Sequence, residues 1–327
     1  MFGALDDWDR LMQESFVLYI RSFGVVTALV LATATCSSDT SVDTGANVTR
    51  TLLTDAPFPY DRLARVDLHI VSVSASLSAD TGSTGSTGSF VTLATPNRRI
   101  NVLALQNGLI EQLGQVTLAT GAITAVRMVI DTDSSSITLR NGAVLTGRSS
   151  PGIAWQSSAG RPVLSALIHE QIQVPRVGAT VIIDFDIGKA FIPQEVNPAS
   201  TDSGFIFSPV LRAADAARTG FITGIVRART VNGTAVANAS LRLYLGRPGT
   251  PENTWSVLAT TKTDAVGAFR FAFVTQSSYW NTLSSQIGAT YIIAVDPPSG
   301  TGLGRLLVPN LSVTARSETG TGTIVLP

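Results

Sequence analysis

The sequence predicts an all-β fold, with two β-sandwich domains in tandem behind an export leader. Three observations point there. Short runs of alternating apolar and polar residues recur from about residue 50 to the end, separated by turn residues and with little helical periodicity. A small, polar stretch near residues 214–220 divides them into two units. An uncharged apolar run closes on the single cysteine of the chain.

That run comes first. Residues 22–35 follow Arg21 and are 14 in number, short of the roughly 20 needed to span a bilayer but suited to a secretory signal. Cys36 follows directly, and Ser, Thr and Asp dominate residues 37–49, which read as a flexible tether. An apolar run ending in cysteine resembles the lipobox of bacterial lipoproteins. The resemblance implies that residues 1–36 are leader and that Cys36 carries the lipid anchor. Thr33 and Thr35 stand where that family prefers Leu and a small residue. Ala32-Thr33-Ala34 offers the other reading, cleavage by ordinary signal peptidase and release. Asp6, Asp7 and Asp9 are unusual in a positively charged leader and leave Met12 as an alternative start. Both readings place the mature chain outside the cytoplasm, as an outer-membrane or cell-surface lipoprotein, or as a periplasmic or secreted protein.

The first unit, residues 50–213, opens its strand pattern at Arg65–Ile70, where Val66, Leu68 and Ile70 form an apolar face. The alternation then slips by one residue to Val71, Val73, Ala75 and Leu77, which predicts a β-bulge between Ile70 and Val71. The Thr-Gly-Ser repeats at 81–89 read as a loop tip. Further strands are expected at 90–93, 100–105, 123–130, 136–139, 163–168, 181–187 and 205–211, with a short helix near Leu103–Leu113. Residues 214–220 read as a linker. In the second unit, residues 221–327, the triplets Leu241, Leu243, Leu245 and Tyr291, Ile293, Val295 supply core faces, as do Phe269, Phe271 and Phe273.

Two further resemblances follow from these residues. Thr263-Asp264, Gly267, Phe269 and Phe271, with Gly224–Val226 and Leu241–Leu243, resemble the carboxypeptidase regulatory-like, transthyretin-like sandwich. That resemblance implies a stalk, spacer or binding module without catalysis of its own. Leu53–Pro57, Val181–Lys189 and Phe205–Val210 resemble the domain of unknown function 4382, over roughly residues 50–213. Its members are commonly exported lipoproteins, and the resemblance implies no established activity.

Composition excludes several chemistries. Lys+Arg and Asp+Glu are 23 each, so no basic excess points to nucleic acid. One cysteine cannot form an internal disulfide or a thiolate zinc site. No nucleophile motif accompanies His69 or His169, and the Gly300-Thr301-Gly302-Leu303-Gly304 run reads as a turn between strands. Trp155, Trp255, Tyr279 and Trp280 are candidates for stacking on sugars. The strongest chemical candidates are the paired carboxylates Asp131 with Asp133, and Asp184 with Asp186, with Asp55 as a further member. In a strand the second pair shares a face, and carboxylates side by side either take calcium or are relieved by Arg127 or Lys189. No other cofactor is expected.

The expected function is therefore non-enzymatic: a cell-envelope lipoprotein serving as a structural, adhesive or ligand-binding surface module, its partners a membrane and a glycan or protein ligand. The alternatives are an accessory subunit of an exported enzyme or transport system, and a calcium-dependent carbohydrate-binding protein. An enzyme is expected to show a deep pocket containing His169 or the acidic pairs.

Overall fold

A computed structural model describes residues 47–55, 62–78, 89–155, 160–194 and 204–327, all within one compact unit spanning Thr44–Pro327. Cys36, the leader, the tether up to residue 46 and most of the Thr-Gly-Ser loop lie outside the described residues. The fold is all-β.

The first domain opens with β1 (Val48–Thr54), β2 (Leu63–Ser78), β3 (Phe90–Ala94) and β4 (Arg98–Asn101). Then come β5 (Glu111–Thr117), β6 (Gly121–Leu139), β7 (Val144–Leu145), β8 (Ile153–Trp155) and β9 (Val163–Ile168). It continues with β10 (Ile172–Val174), β11 (Thr180–Phe185), the short helix α1 (Ile187–Ala190), β12 (Phe191–Pro193), β13 (Phe205–Phe207) and β14 (Leu211–Asp215). One long sheet runs in the order β3-β2-β6-β9-β14-β11-β1-β5. At β9 and β14 it is joined by only two residue pairs, Arg212 with Leu167 and Ala213 with Ile168. The arms on either side of that narrow join face each other across Leu53, Leu68, Ile70, Met128, Ile183 and Phe185. The outer strands β3 and β5 also meet: a Cβ on Gly114 would lie 2.8 Å from that of Ala94, so only glycine allows this approach. A small sheet, β12-β13-β8, packs Phe191, Phe205 and Phe207 onto the same core.

The predicted bulge is present. The register of β2 against β6 shifts between Ile70 and Ser72, and the buried positions change from Val66, Leu68 and Ile70 to Val73 and Ala75. The helix expected near Leu103–Leu113 is instead a 3-10 turn at Val102–Gly108, with β5 starting at Glu111. Gly108, at φ +83°, turns the chain out of the helix after two turns. Residues 214–220 are the end of β14, a single 3-10 turn at Ala216–Arg218 and the start of the next strand. Asp215 Oδ1 closes that turn by accepting from the Ala217 N–H at 2.8 Å.

The second domain comprises β15 (Thr219–Ala228), β16 (Ser240–Gly246), β17 (Ser256–Lys262), β18 (Ala268–Thr275), the short helix α2 (Ser277–Trp280), β19 (Thr290–Asp296), β20 (Leu306–Leu311) and β21 (Glu318–Leu326). A three-stranded sheet, β18-β15-β21, faces a four-stranded one, β17-β16-β19-β20. Leu241, Leu243, Leu245, Phe269, Phe271, Tyr291, Ile293 and Val295 fill the space between. The turn into β18 follows its sequence: Asp264 Oδ1 accepts from the Val266 and Ala268 N–H groups at 3.0 and 2.8 Å, and Gly267 takes φ +79°. Phe273 departs from the expected core face. Its φ of +53° and a register shift between Gly220 and Ile222 put Val274 into the core instead, while Phe273 packs on Phe221 with centroids 5.3 Å apart.

Candidate functional site

The acidic pairs are separate structures. Asp131 stands opposite His69 while Ser136 stands opposite Asp67, so residues 132–135 bulge out of β6. Asp131 Oδ1 accepts from the Ser134 N–H at 3.1 Å, and its Oδ2 meets Arg161 at 3.2 Å. Asp133 meets Arg148 at 3.2 Å in solvent. Asp184 and Asp186 do not share a strand face, because β11 ends at Phe185. Asp186 caps α1 by accepting from the Lys189 N–H at 3.0 Å, and its other oxygen lies 2.9 Å from Lys189 Nζ. Asp184 pairs with Arg212. Each of the four carboxylates thus faces a cation of the protein. Arg127, also a candidate for that role, sits over Phe90 instead. Among the described residues, no group of three or more His, Cys, Asp and Glu side chains is placed to hold a metal ion.

Asp55 does join the second pair. It is buried at the end of β1, where β1 runs parallel to β11 and sets Thr54 beside Asp184. Burial pushes its carboxyl well above the ordinary 3.8; the Ile187 N–H pulls it down, Asp184 and Asp186 push it up, and Gln106 pulls it down.

A cluster of polar chemistry lies where the two sandwiches meet; the sequence reading named His169, Asp184, Tyr279 and Trp280 but not the arginines that join them. Arg212 donates to Asp184 on its own sheet and to the Leu258 carbonyl of β17 in the other domain. Arg218 pairs with Glu170. The Tyr279 hydroxyl donates to the His169 carbonyl, and the His169 ring meets the edge of Trp280 with centroids 5.3 Å apart. Burial, then Arg212, pushes His169 below its ordinary 6.5. His169, Asp184, Arg212, Phe273 and Trp280 line a cavity of about 40 Å³. Such a cavity admits one or two waters, whereas pockets for small ligands run to roughly 300–1,000 Å³. The cavity brings His169 together with Glu170, Asp184 and Asp215. Its charges are paired within the first sandwich, Asp184 with Arg212, and with the connecting turn, Glu170 with Arg218.

The aromatic candidates are also committed. Trp155 packs on Phe207 and Phe191, with centroids at 4.7 and 6.2 Å. Trp255 lies on Gly246, where a Cβ would come within 2.4 Å of its ring. Trp280 is buried and donates to the Tyr291 hydroxyl at 2.6 Å, and Tyr279 stands against it. His69 Nε2 lies 3.2 Å from Asn97 Oδ1. A larger open groove, about 400 Å³, lies elsewhere, between Arg50, Gln173, Val177 and Arg316. Among the described residues, no helix is long and apolar enough to cross a membrane.

Residues 49–209 match the family described as a domain of unknown function (DUF4382). No curated protein matches the chain. Among solved structures, the chain is similar to a 9R-lipoxygenase from Cyanothece PCC8801, at 15% identity and TM-score 0.25, over 41% of this chain and 19% of that one. It is similar to the Bacillus anthracis TIE protein at 8% identity and TM-score 0.23, over 85% of this chain and 40% of that one. It is similar to a double mutant of the shaft pilin SpaA from Lactobacillus rhamnosus GG at 11% identity and TM-score 0.22, over 85% and 97%. The chain spans less than half the length of the first two. Scores this low do not establish a shared fold.

Proposed function

We propose that this chain is a non-enzymatic surface module of the bacterial cell envelope, tethered by lipid at Cys36, in which two sandwiches act as one rigid body. The observation that carries the reading is the seam. Arg212 and Tyr279 each donate to a backbone carbonyl of the opposite sandwich, Arg218 ties the connecting turn to Glu170, and the cavity beside them is small. Rigid coupling of two modules suits a spacer or an adhesive display, where the loops and not a buried cleft meet the partner. A ligand-binding role has a place to reside in the groove beside Arg50 and Arg316. Its volume falls in the range of small-ligand pockets, and its two guanidiniums suit a carboxylate or phosphate on a glycan or protein.

Two measurements test the reading. Fractionation of cells expressing the full chain is expected to show it in the membrane fraction, and Cys36→Ala in the soluble exported fraction; unchanged partition would remove the anchor. A glycan array probed with the same chain tests the ligand: a hit weakened by Arg50→Gln assigns the groove, and a blank array leaves a spacer role.

A further inference from the structure

Three residues, two from the first sandwich and one from the second, line the same small cavity of about 20 Å³, and each carries a buried polar atom without a hydrogen-bond partner. Asp55 is 3% exposed; its Oδ1 accepts from the Ile187 N–H at 3.1 Å, the Gln106 side chain acts on the same carboxyl, and Oδ2 is shut off from solvent without a partner in hydrogen-bonding geometry. Asp184 gives Oδ2 to Arg212, and its Oδ1 is buried without a partner. Arg270 comes from β18 of the other sandwich. Its guanidinium lies 4.1 Å from the centre of the Phe221 ring, and its Nε is buried without an acceptor. Leaving three such atoms unpaired would consume a large share of the marginal stability of a protein this size.

The cavity and its chemistry select one kind of occupant. About 10–15 Å³ is the least that admits a single water, so a cavity of about 20 Å³ has room for one. Two carboxylate oxygens alone would attract a cation, but Arg212 and Arg270 line the same space and repel it. An apolar group would satisfy none of the three atoms. Water can accept from the Arg270 Nε–H while donating to Asp184 Oδ1, and it can donate to an ionised Asp55 Oδ2 or accept a hydrogen bond from a protonated one, so it serves either form of that carboxyl.

We propose that one ordered water, bridging Asp55, Asp184 and Arg270, is a structural component of the seam and ties the second sandwich to the first. Gly108 fits this arrangement, since a Cβ there would come within 3.4 Å of Arg270 Nε and 3.2 Å of the Ala272 Cβ. The site does not depend on where the protein is located or what it binds.

A crystal structure of the full chain at near-atomic resolution, grown without added divalent metal, tests the site directly. The expected result is one water peak within hydrogen-bonding distance of all three atoms. In Arg270→Met the peak should vanish and the melting temperature should fall by roughly 2–4 °C. Phe221→Leu, which removes the ring but leaves Nε, should retain the peak. No peak in the wild type, a peak with the short, many-oxygen coordination of a metal ion, or a peak that persists unchanged in Arg270→Met would each overturn the proposal.

Discussion

Asp184 and Arg212 stand directly opposite each other on β11 and β14, and the guanidinium that neutralises Asp184 also donates to the Leu258 carbonyl in the other sandwich. One side chain therefore relieves a carboxylate within one domain and fastens that domain to its neighbour. Arg212→Leu would leave the carboxylate, whose side chain is 13% exposed, without its cation and the Leu258 carbonyl without its donor. The expected loss is about 2–4 kcal/mol, read by chemical denaturation. The Arg65–Asp67 pair is the control, since the Arg65 side chain is 56% exposed. Arg65→Leu should cost under about 1 kcal/mol. Equal losses in the two variants would mean that the seam contributes no more than a surface pair.

Asp55 makes stability depend on pH in a stated direction. Burial, the first cause, raises its folded pKa above the ordinary 3.8. The folded chain therefore holds this proton more tightly than the unfolded chain. The contribution is complete below pH 3.8 and is lost as pH rises through the folded value. His169, depressed by burial below 6.5, acts on the other side: its contribution is present above 6.5 and declines as pH falls below it. Melting curves across pH should show Asp55→Asn losing the decline toward higher pH, and His169→Gln losing the decline below 6.5. A profile for Asp55→Asn that superimposes on the wild type would show that this carboxyl does not titrate differently on folding.

What was legible in the sequence was local. The slip at Ile70 and Val71 could be read because side chains alternate with a period of two, and the Asp264–Gly267 turn because its residues bond within the turn. The departures arise where tertiary contacts override that alternation. Phe273 fits the pattern of Phe269 and Phe271 but is turned out by its left-handed backbone toward Phe221. Asp186 follows Asp184 at strand spacing but lies past the strand end and caps α1. The seam left no local trace. Asp184 and Arg212 are 28 residues apart, Glu170 and Arg218 are 48 apart, and His169 and Tyr279 are 110 apart. The signal that could have pointed there was the charge pattern of Arg212, Asp215 and Arg218 spaced three apart in a stretch otherwise all alanine.

Calcium is expected to leave stability unchanged. Arg161, Arg148, Arg212 and Lys189 already stand against Asp131, Asp133, Asp184 and Asp186, so an added cation would have to displace a tethered one. Binding to the native state alone would raise the melting temperature as calcium exceeded its dissociation constant. Melting in millimolar calcium and in chelator should therefore coincide. A rise with calcium that Asp184→Asn abolishes would restore a metal role to this carboxylate.

The Tyr291 hydroxyl isolates the worth of one buried oxygen. It accepts from Trp280 Nε1 at 2.6 Å and donates to the Thr275 carbonyl, joining α2, β18 and β19 inside the second sandwich. Burial pushes its phenol far above the ordinary 10, so it remains a donor at any pH the fold survives. Tyr291→Phe keeps the ring in the core and removes the hydroxyl. The Trp280 N–H and the Thr275 carbonyl then lose their partner together, in a site with little access to water. The expected cost is about 2–3 kcal/mol by urea titration, with the m-value unchanged because the surface exposed on unfolding is the same. The Trp280 fluorescence should also change, since its indole N–H loses its acceptor. A loss below about 0.5 kcal/mol would mean that the helix and strands rearrange to satisfy both groups, and that this hydroxyl is not what positions Trp280 against His169 at the seam.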